Sequence, residues 1–290
     1  MNNKLKLIRY HYRSIKYSYG LYRGLKTKFN ILDIEYRDLN RLNSSLYSQL
    51  YLGDLDAIRI KSFLNKEEIS KYINNLSKLK PALLFEKPFG FTHGPSLIDS
   101  YEKMDKYFDA AKEYFKELNN TMGFDFHDKI VNVLMDLSLN HVCEIPNCSG
   151  ADYAFFPMKN MKRLCGSIPA HNGLMFYDMY PECRHIESLI DKSNQISILL
   201  LMQKSEKGGD LEFIDWRYCD TPKDLSTDVL RNMAMRKARK SIDLLPGDLI
   251  LFHGGQLWHR VTDILGRTPR ISLSAFSSFS LNHESILIWN

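Results

Sequence analysis

The sequence lacks a long hydrophobic run. Its longest apolar candidate, Ile196–Met202, spans seven residues, far fewer than the about 20 that cross a bilayer. The N-terminus has no apolar stretch before a small-residue cleavage site, so we expect neither a signal peptide nor an association with membranes. No internal repeat or low-complexity segment is visible, which excludes collagen-like and other fibrous classes.

Cysteine is scarce, and its spacing does not indicate a metal site. The five cysteines are an odd number, and no two of them form the Cys-x-x-Cys spacing of zinc and thiol redox sites. We therefore predict reduced thiols in a cytoplasmic protein. The residues concerned are Cys143, Cys148, Cys165, Cys183 and Cys219.

Acidic residues are absent from residues 1–32, which carry eight lysines and arginines. The whole chain has a formal net charge of +5, so the remainder is slightly acidic. A basic segment of this kind can contact an anionic partner such as nucleic acid, lipid or an acidic protein, but it is equally typical of a solvated extension. We predict a basic N-terminal extension over 1–32, followed by a single domain over 33–290.

The pattern of hydrophobic residues divides this domain into two parts. Helical periodicity is concentrated over about 63–140, where Asn65 and Glu68 form a capping-box pattern. Short strand-like runs with Gly and Pro between them fill about 150–290, which favours a sandwich or barrel. A helical insertion is predicted over about 221–240, opened by Thr221 and Pro222. The predicted strands are 152–156, 165–170, 196–203, 210–214, 242–244, 249–253, 271–277 and 286–289.

Two segments combine histidine, glycine and a strand-like context. In the first, His171 and Gly173 follow the predicted strand 165–170. In the second, Pro-Gly-Asp-Leu-Ile-Leu-Phe leads through a Gly-Gly turn to His259, and Arg270 follows eleven residues later. A Gly-Gly-Asp-Leu-Glu-Phe segment lies between them. This layout resembles the iron(II)- and 2-oxoglutarate-dependent oxygenases. Within them, roughly residues 90–290 look closest to the free-standing halogenases of hapalindole and welwitindolinone biosynthesis.

The resemblance implies a fold and a site. The fold would be mainly β with helical support, a double-stranded β-helix (jelly-roll, cupin-like) core with N-terminal helices. Non-haem iron oxygenases commonly hold Fe(II) by two histidines and one carboxylate; the resemblance implies His171 and His259 as ligands, with Gly173 at the carboxylate position, leaving room for chloride. Arg270 would pair with the distal carboxylate of 2-oxoglutarate, which suits a planar bidentate donor. Ser197 matches a family serine near the reactive oxygen.

The implied activity is chlorination of an unactivated sp3 carbon of a soluble small molecule. The cofactors would be Fe(II), 2-oxoglutarate and chloride, with O2 as co-substrate. No carrier protein is expected, because the resemblance is to free-standing enzymes.

Other interpretations of the sequence stay open. His185 and Glu187 have His-x-Glu spacing and would supply a full carboxylate triad, which would make the protein a hydroxylase. Water in place of chloride beside Gly173 would also give a hydroxylase. A binding protein without catalysis, and an oxygenase directed to nucleic acid by residues 1–32, are further alternatives.

Overall fold

The computed structural model describes residues 29–87, 89–97, 104–163 and 166–290. Most of the predicted basic extension, and with it the proposed contact to an anionic partner, lies outside these residues. Within its last residues, Ile31 and Leu32 already belong to a strand that pairs in parallel with Ala57 and Ile58.

Sixteen strands and six α-helices occur in the described residues. The strands are β1 (Ile31–Glu35), β2 (Ala57–Lys61), β3 (Leu84–Lys87), β4 (Gly90–His93), β5 (Val142–Glu144), β6 (Asn147–Cys148), β7 (Ala151–Asp152), β8 (Met158–Met161), β9 (Ile168–His171), β10 (Ile196–Gln203), β11 (Leu211–Arg217), β12 (Arg239–Ile242), β13 (Leu249–Phe252), β14 (Leu257–Val261), β15 (Arg270–Phe279) and β16 (Ser285–Trp289). The helices are α1 (Leu46–Tyr51), α2 (Lys66–Asn75), α3 (Met104–Met122), α4 (Phe126–Ser138), α5 (Gly173–Met179) and α6 (Thr227–Ala234).

Strands β8–β15 form the two facing sheets of a jelly roll. The larger sheet runs β1-β2-β13-β10-β15-β8-β4-β3, and the smaller runs β12-β11-β14-β9. All pairings among β8–β15 are antiparallel, and successive strands mostly alternate between the sheets. This is the double-stranded β-helix that the sequence predicts.

Alternation along β10 shows how the sequence separates two cores. Ile196, Ile198 and Leu200 lie in the core shared with the helices. Leu199 and Leu201 instead pack between the sheets, with residues of β11 and β13. Because side chains of a strand alternate between its faces, Ser197 lies on the inner face with Leu199 and Leu201.

Helices α2, α3 and α4 cover the outer face of the larger sheet. Their apolar stripes contribute Tyr114, Leu118, Phe126 and Leu134 to the helix-side core. The predicted capping box is present at the start of α2, where Asn65 Oδ1 accepts from Glu68 N at 2.9 Å and the Glu68 carboxylate accepts from Asn65 N at 2.8 Å. The prediction of N-terminal helices is confirmed.

The predicted insertion over 221–240 differs from the structure. The helix begins at Thr227 rather than Pro222 and ends at Ala234, and β12 then begins at Arg239. Arg239, Lys240 and Ser241 are exposed at the edge of the smaller sheet. Exposed charge of this kind is typical of an edge strand, so the last part of the predicted helix is a strand instead.

No helix in the part of the chain that the structure describes is long and apolar enough to cross a membrane.

Candidate functional site

The two histidines singled out by the sequence lie opposite each other in the smaller sheet. β9 pairs antiparallel with β14, and the ladder places His171 directly across from His259. Their ring centroids are 4.2 Å apart. His259 is buried and its ring also contacts Phe252 at 4.8 Å, at the end of the space between the sheets. His171 is half-buried.

Hydrogen bonds fix which nitrogen each histidine can offer to a metal. His171 Nδ1 is 2.8 Å from the Pro169 carbonyl oxygen, and His259 Nδ1 is 2.9 Å from that of Leu257. A carbonyl oxygen only accepts, so each Nδ1 carries the proton and each Nε2 keeps its lone pair. This backbone orientation of a ligand ring is common at metal sites.

The surroundings keep both imidazoles neutral. Burial lowers the pKa of His171 to about 4; the hydrogen bond to the Pro169 carbonyl opposes this shift, and the charges of Lys159 and Arg231 add to it. Burial and the neighbouring His171 hold the pKa of His259 well below its usual value. Neutral rings are the form that binds a cation such as Fe(II).

Gly173 stands two residues after His171, where α5 begins. Its N–H donates to the Gly254 carbonyl at 2.8 Å, so the Gly-Gly turn after β13 holds it in place. A Cβ at this position would lie 2.5 Å from Gln195 Nε2 and 3.3 Å from Gly255 Cα. Real Cβ atoms do not make contacts below 3.0 Å, so only glycine fits without a shift of the Gln195 amide.

Ser197 is brought to the same turn. A Cβ on Gly254 would overlap the Ser197 hydroxyl, so the two residues are in close approach. Ser197 is buried and is paired in the ladder with Phe252, whose ring contacts His259. The structure therefore gathers Ser197, Gly173 and the two histidines at one end of the jelly roll.

Arg270 lies on the inner face of β15 and is buried. Its Nη1 donates to Ser272 Oγ at 2.7 Å. Burial lowers its pKa to about 10, against the opposing charge of Asp210, so the guanidinium stays charged at neutral pH. Among the residues that the structure describes, no carboxylate forms an ion pair with it. A buried charge without a partner is costly, and a bound anion would supply one.

Lys159 is a further cation that the sequence did not single out. It is paired with Ser272 in the ladder between β8 and β15, and its Nζ donates to Ser274 Oγ at 3.0 Å. Its charge acts on both histidines. No motif in the sequence marks Lys159 as part of a site. Only the pairing of β8 with β15 places it on the larger sheet next to Ser272 and Ser274.

The rival pair His185 and Glu187 lies elsewhere. Both belong to the 3-10 segment Pro181–Ser188, which follows α5. His185 Nδ1 hydrogen bonds to the Tyr153 hydroxyl, and Glu187 forms an ion pair with Lys192. The ladder partner of His259 is His171, so this placement weighs against a triad that uses Glu187.

A comparison with known families identifies the chain. The model of a family described as "Carrier-protein-independent halogenase WelO5" matches residues 28–290. The chain belongs to this family. Membership confirms the predicted class, a non-haem iron, 2-oxoglutarate-dependent halogenase that needs no carrier protein for its small-molecule substrate.

Solved structures agree on the fold. A crystal structure of an N-substituted L-amino acid dioxygenase from Burkholderia ambifaria AMMD matches with a TM-score of 0.53 and 12% identity, covering 84% of this chain and 89% of that one. A second crystal structure shows an N-substituted L-amino acid dioxygenase from the same organism in complex with alpha-KG. It matches with a TM-score of 0.50 and 11% identity, again covering 84% of this chain and 89% of that one. At this identity the likeness shows the fold alone. The comparison with curated proteins gave no match.

Proposed function

We propose that this member of the halogenase family chlorinates an sp3 carbon of a free small molecule, with His171 and His259 holding Fe(II), Arg270 holding 2-oxoglutarate and chloride bound beside Gly173. The observation that carries the proposal is Gly173 itself. It occupies the position where a carboxylate would complete the usual triad, in a backbone held next to both histidines.

The two histidines supply adjacent metal ligands. Their rings are 4.2 Å apart, and both Nδ1 atoms are engaged by backbone carbonyls. Each Nε2 is therefore the nitrogen that binds the ion, and the fixed rings need no tautomer change on binding. Two imidazoles and an open face fit the non-haem iron sites that leave positions for small ligands.

Arg270 supplies the charge that a dicarboxylate needs. Its guanidinium is buried on the inner face of β15 and hydrogen-bonded to Ser272. Arginine binds a carboxylate through two parallel hydrogen bonds, and Lys159 adds positive charge on the neighbouring strand. Binding of the anion would then compensate a charge that is otherwise buried alone.

Gly173 leaves a ligand position that a carboxylate would fill. Chloride carries the same single negative charge as that carboxylate, so the charge at the metal would be preserved. When bound, Fe(II), 2-oxoglutarate and O2 supply the oxidising chemistry that takes a hydrogen atom from carbon, and chloride supplies the halogen. The residues of the chain bind and orient these groups.

Ser197 and the apolar interior complete the site. The Ser197 hydroxyl lies on the inner face of β10 beside Gly254, and we assign it a hydrogen bond toward the open side of the metal site. Below it, Leu201, Phe213 and Phe252 fill the space between the sheets. This packing excludes bulk water from one side of the histidines, which strengthens their electrostatic interactions.

The test is an anaerobic titration of chloride into protein loaded with Fe(II) and 2-oxoglutarate, followed by the visible absorption of the complex. We expect a saturable shift in the wild type and none in Gly173→Asp, because the new carboxylate takes the position of the halide. Gly173→Ala is the matched control, since it adds the same Cβ beside the Gln195 amide without adding a ligand, and it is expected to retain a saturable shift, at a higher chloride concentration than the wild type.

Two results would contradict the proposal. Absence of a shift in the wild type would mean that chloride does not enter the coordination sphere. Loss of iron in Glu187→Ala together with that absence would indicate a carboxylate triad and a hydroxylase.

A further inference from the structure

A buried polar side chain, that of Gln195, lies against Gly173. Gln195 is 2% exposed and directly precedes β10. Its Nε2 is 2.5 Å from the position of a Cβ on Gly173, and its Cδ is 3.4 Å from the same point. The amide nitrogen is therefore the part of Gln195 that faces the missing side chain.

A hydrogen bond from a tyrosine fixes this orientation. The buried Tyr177, on α5, donates from its hydroxyl to Gln195 Oε1 at 2.7 Å. The hydroxyl donates to the amide oxygen, so in this structure the oxygen is turned toward Tyr177 and the amide nitrogen, which only donates, toward Gly173. With the amide rotated by half a turn, an acceptor oxygen would face Gly173 instead.

The backbone of Gln195 is held to the same place. Its carbonyl accepts from Gly255 N at 2.8 Å, while Gly254, the preceding residue, accepts from Gly173 N at 2.8 Å. Two consecutive glycines thus join Gln195 and Gly173 through backbone bonds. The amide is consequently anchored at both ends, by Tyr177 and by the turn.

We propose that the Gln195 side-chain amide is the hydrogen-bond donor for the halide bound beside Gly173, oriented for this role by Tyr177. The inference rests on the proposed function, because it needs a halide at that position. An N–H donor stabilises an anion, and a hydrogen bond to a charged partner is stronger than one between neutral groups. A neutral amide also adds no charge when the site holds no anion.

The same contact explains how the site discriminates between ligands. A side chain on residue 173 would begin where its Cβ meets Gln195 Nε2, so the buried amide would have to shift. A separate ion needs no covalent link at that point. Gln195 therefore favours a free anion over a side-chain carboxylate.

The experiment measures the chloride dissociation constant in three variants, by the anaerobic titration described above. Gln195→Ala removes the donor, Gln195→Glu keeps the shape but replaces the donor by a negative charge, and Tyr177→Phe leaves the donor unanchored. We expect chloride to bind about 10- to 100-fold more weakly in the first two, with the larger loss in Gln195→Glu, and less than tenfold more weakly in Tyr177→Phe. Binding of Fe(II) and 2-oxoglutarate without chloride should stay within about twofold of the wild type.

The outcomes separate this inference from the proposed function. If the wild type shows a saturable shift and Gln195→Ala binds chloride within twofold of it, the donor role is wrong while the halide site stands. If the Gln195 variants fail to load iron, Tyr177→Phe decides, and an unchanged chloride constant there overturns the inference. If the wild type itself shows no shift, the proposed function fails and the role of Gln195 fails with it.

Discussion

At the residue scale, the site depends on histidines that remain neutral inside the protein. The pKa of His171 falls to about 4 and that of His259 lies well below its usual value, in both cases mainly through burial. In the unfolded chain both return to about 6.5. Between these values the unfolded state binds protons that the folded state does not, so the free energy of unfolding decreases as pH falls.

We therefore expect the metal-free protein to lose stability as the pH is lowered from about 6.5 toward 4. The slope should reach at most about 1.4 kcal/mol per pH unit for each such histidine. Denaturant unfolding of the metal-free protein at a series of pH values measures it. His171→Gln should flatten the dependence, and the double variant His171→Gln/His259→Gln should flatten it further.

Part of the slope will persist in these variants. Burial also lowers the pKa of His93, on β4, and that of His185, and both act in the same direction. The comparison between variants, rather than the wild-type curve, therefore isolates the two site histidines. A double variant with the full wild-type slope would show that their titration does not couple to folding.

The individual residues of the site differ in how far the sequence could predict them. The resemblance to a family implied four of them, because their spacing along the chain forms a pattern. They are His171, Gly173, His259 and Arg270. Gln195 has no such signal, because its contact with Tyr177 is made across 18 residues and its contact with Gly173 depends on a turn after another strand.

At the element scale, alternation and capping were predictable, whereas strands with polar residues were not. β14 carries His259, yet its histidine and arginine interrupt the apolar pattern, and the strand is fixed by pairing with β9 and β11. The hairpin β3–β4 lies in a segment whose prolines and glycines favour turns, and it becomes sheet because β4 pairs with β8. Long-range pairing, rather than local propensity, decided these elements.

One buried ion pair joins the first two strands to the jelly roll. Asp56, just before β2, pairs with Arg217 at the end of β11, and both are less than 10% exposed. The other Asp56 carboxylate oxygen accepts from Asn30 N at 2.8 Å, and its carbonyl accepts from His253 N at 3.0 Å. The same residue thus supports the turn that holds Gly173.

We expect Asp56→Ala to destabilise the protein by about 3–5 kcal/mol, because it removes one member of a buried ion pair and the carboxylate that also accepts from Asn30 N. Chemical denaturation measures the change. The double variant Asp56→Ala/Arg217→Met should cost less than the sum of the single substitutions. Asp38→Ala is the surface control, since Asp38 pairs with a mostly exposed Arg41, and it should cost less than about 1 kcal/mol. A loss below 1 kcal/mol in Asp56→Ala would contradict this account.

At the scale of the whole molecule, helices and sheets form a continuous structure rather than two units. One core contains residues of α1 to α4 together with residues of β10, β13 and β15. The jelly roll alone would expose this apolar face of its larger sheet. The helices therefore pack against β10, which carries Ser197, and against β13, which precedes the Gly-Gly turn.

The hydroxyl of Tyr107, on α3, provides a test of this continuity. It donates to the backbone oxygen of Asn290 and accepts from Ala154 N at 2.9 Å, while Asn290 Nδ2 donates to the carbonyl of Ser274, on β15, at 3.0 Å. Tyr107 is 1% exposed. Tyr107→Phe leaves both backbone groups without this partner in the interior, so we expect a loss of about 1–3 kcal/mol.

The number of unfolding transitions shows whether the helices and the sheets unfold together. If the helices and the sheets share one core, unfolding of Tyr107→Phe by denaturant will remain a single transition, and only its midpoint will fall. Tryptophan fluorescence follows the sheets, since Trp216, Trp258 and Trp289 lie on strands, and circular dichroism follows the helices. Tyr218→Phe serves as the control, because the hydroxyl of Tyr218 bonds at 2.7 Å to Asp178 in an exposed position, and it should shift the midpoint far less. Two separate transitions, or equal shifts in both variants, would mean that the helical layer unfolds independently of the sheets that carry the site.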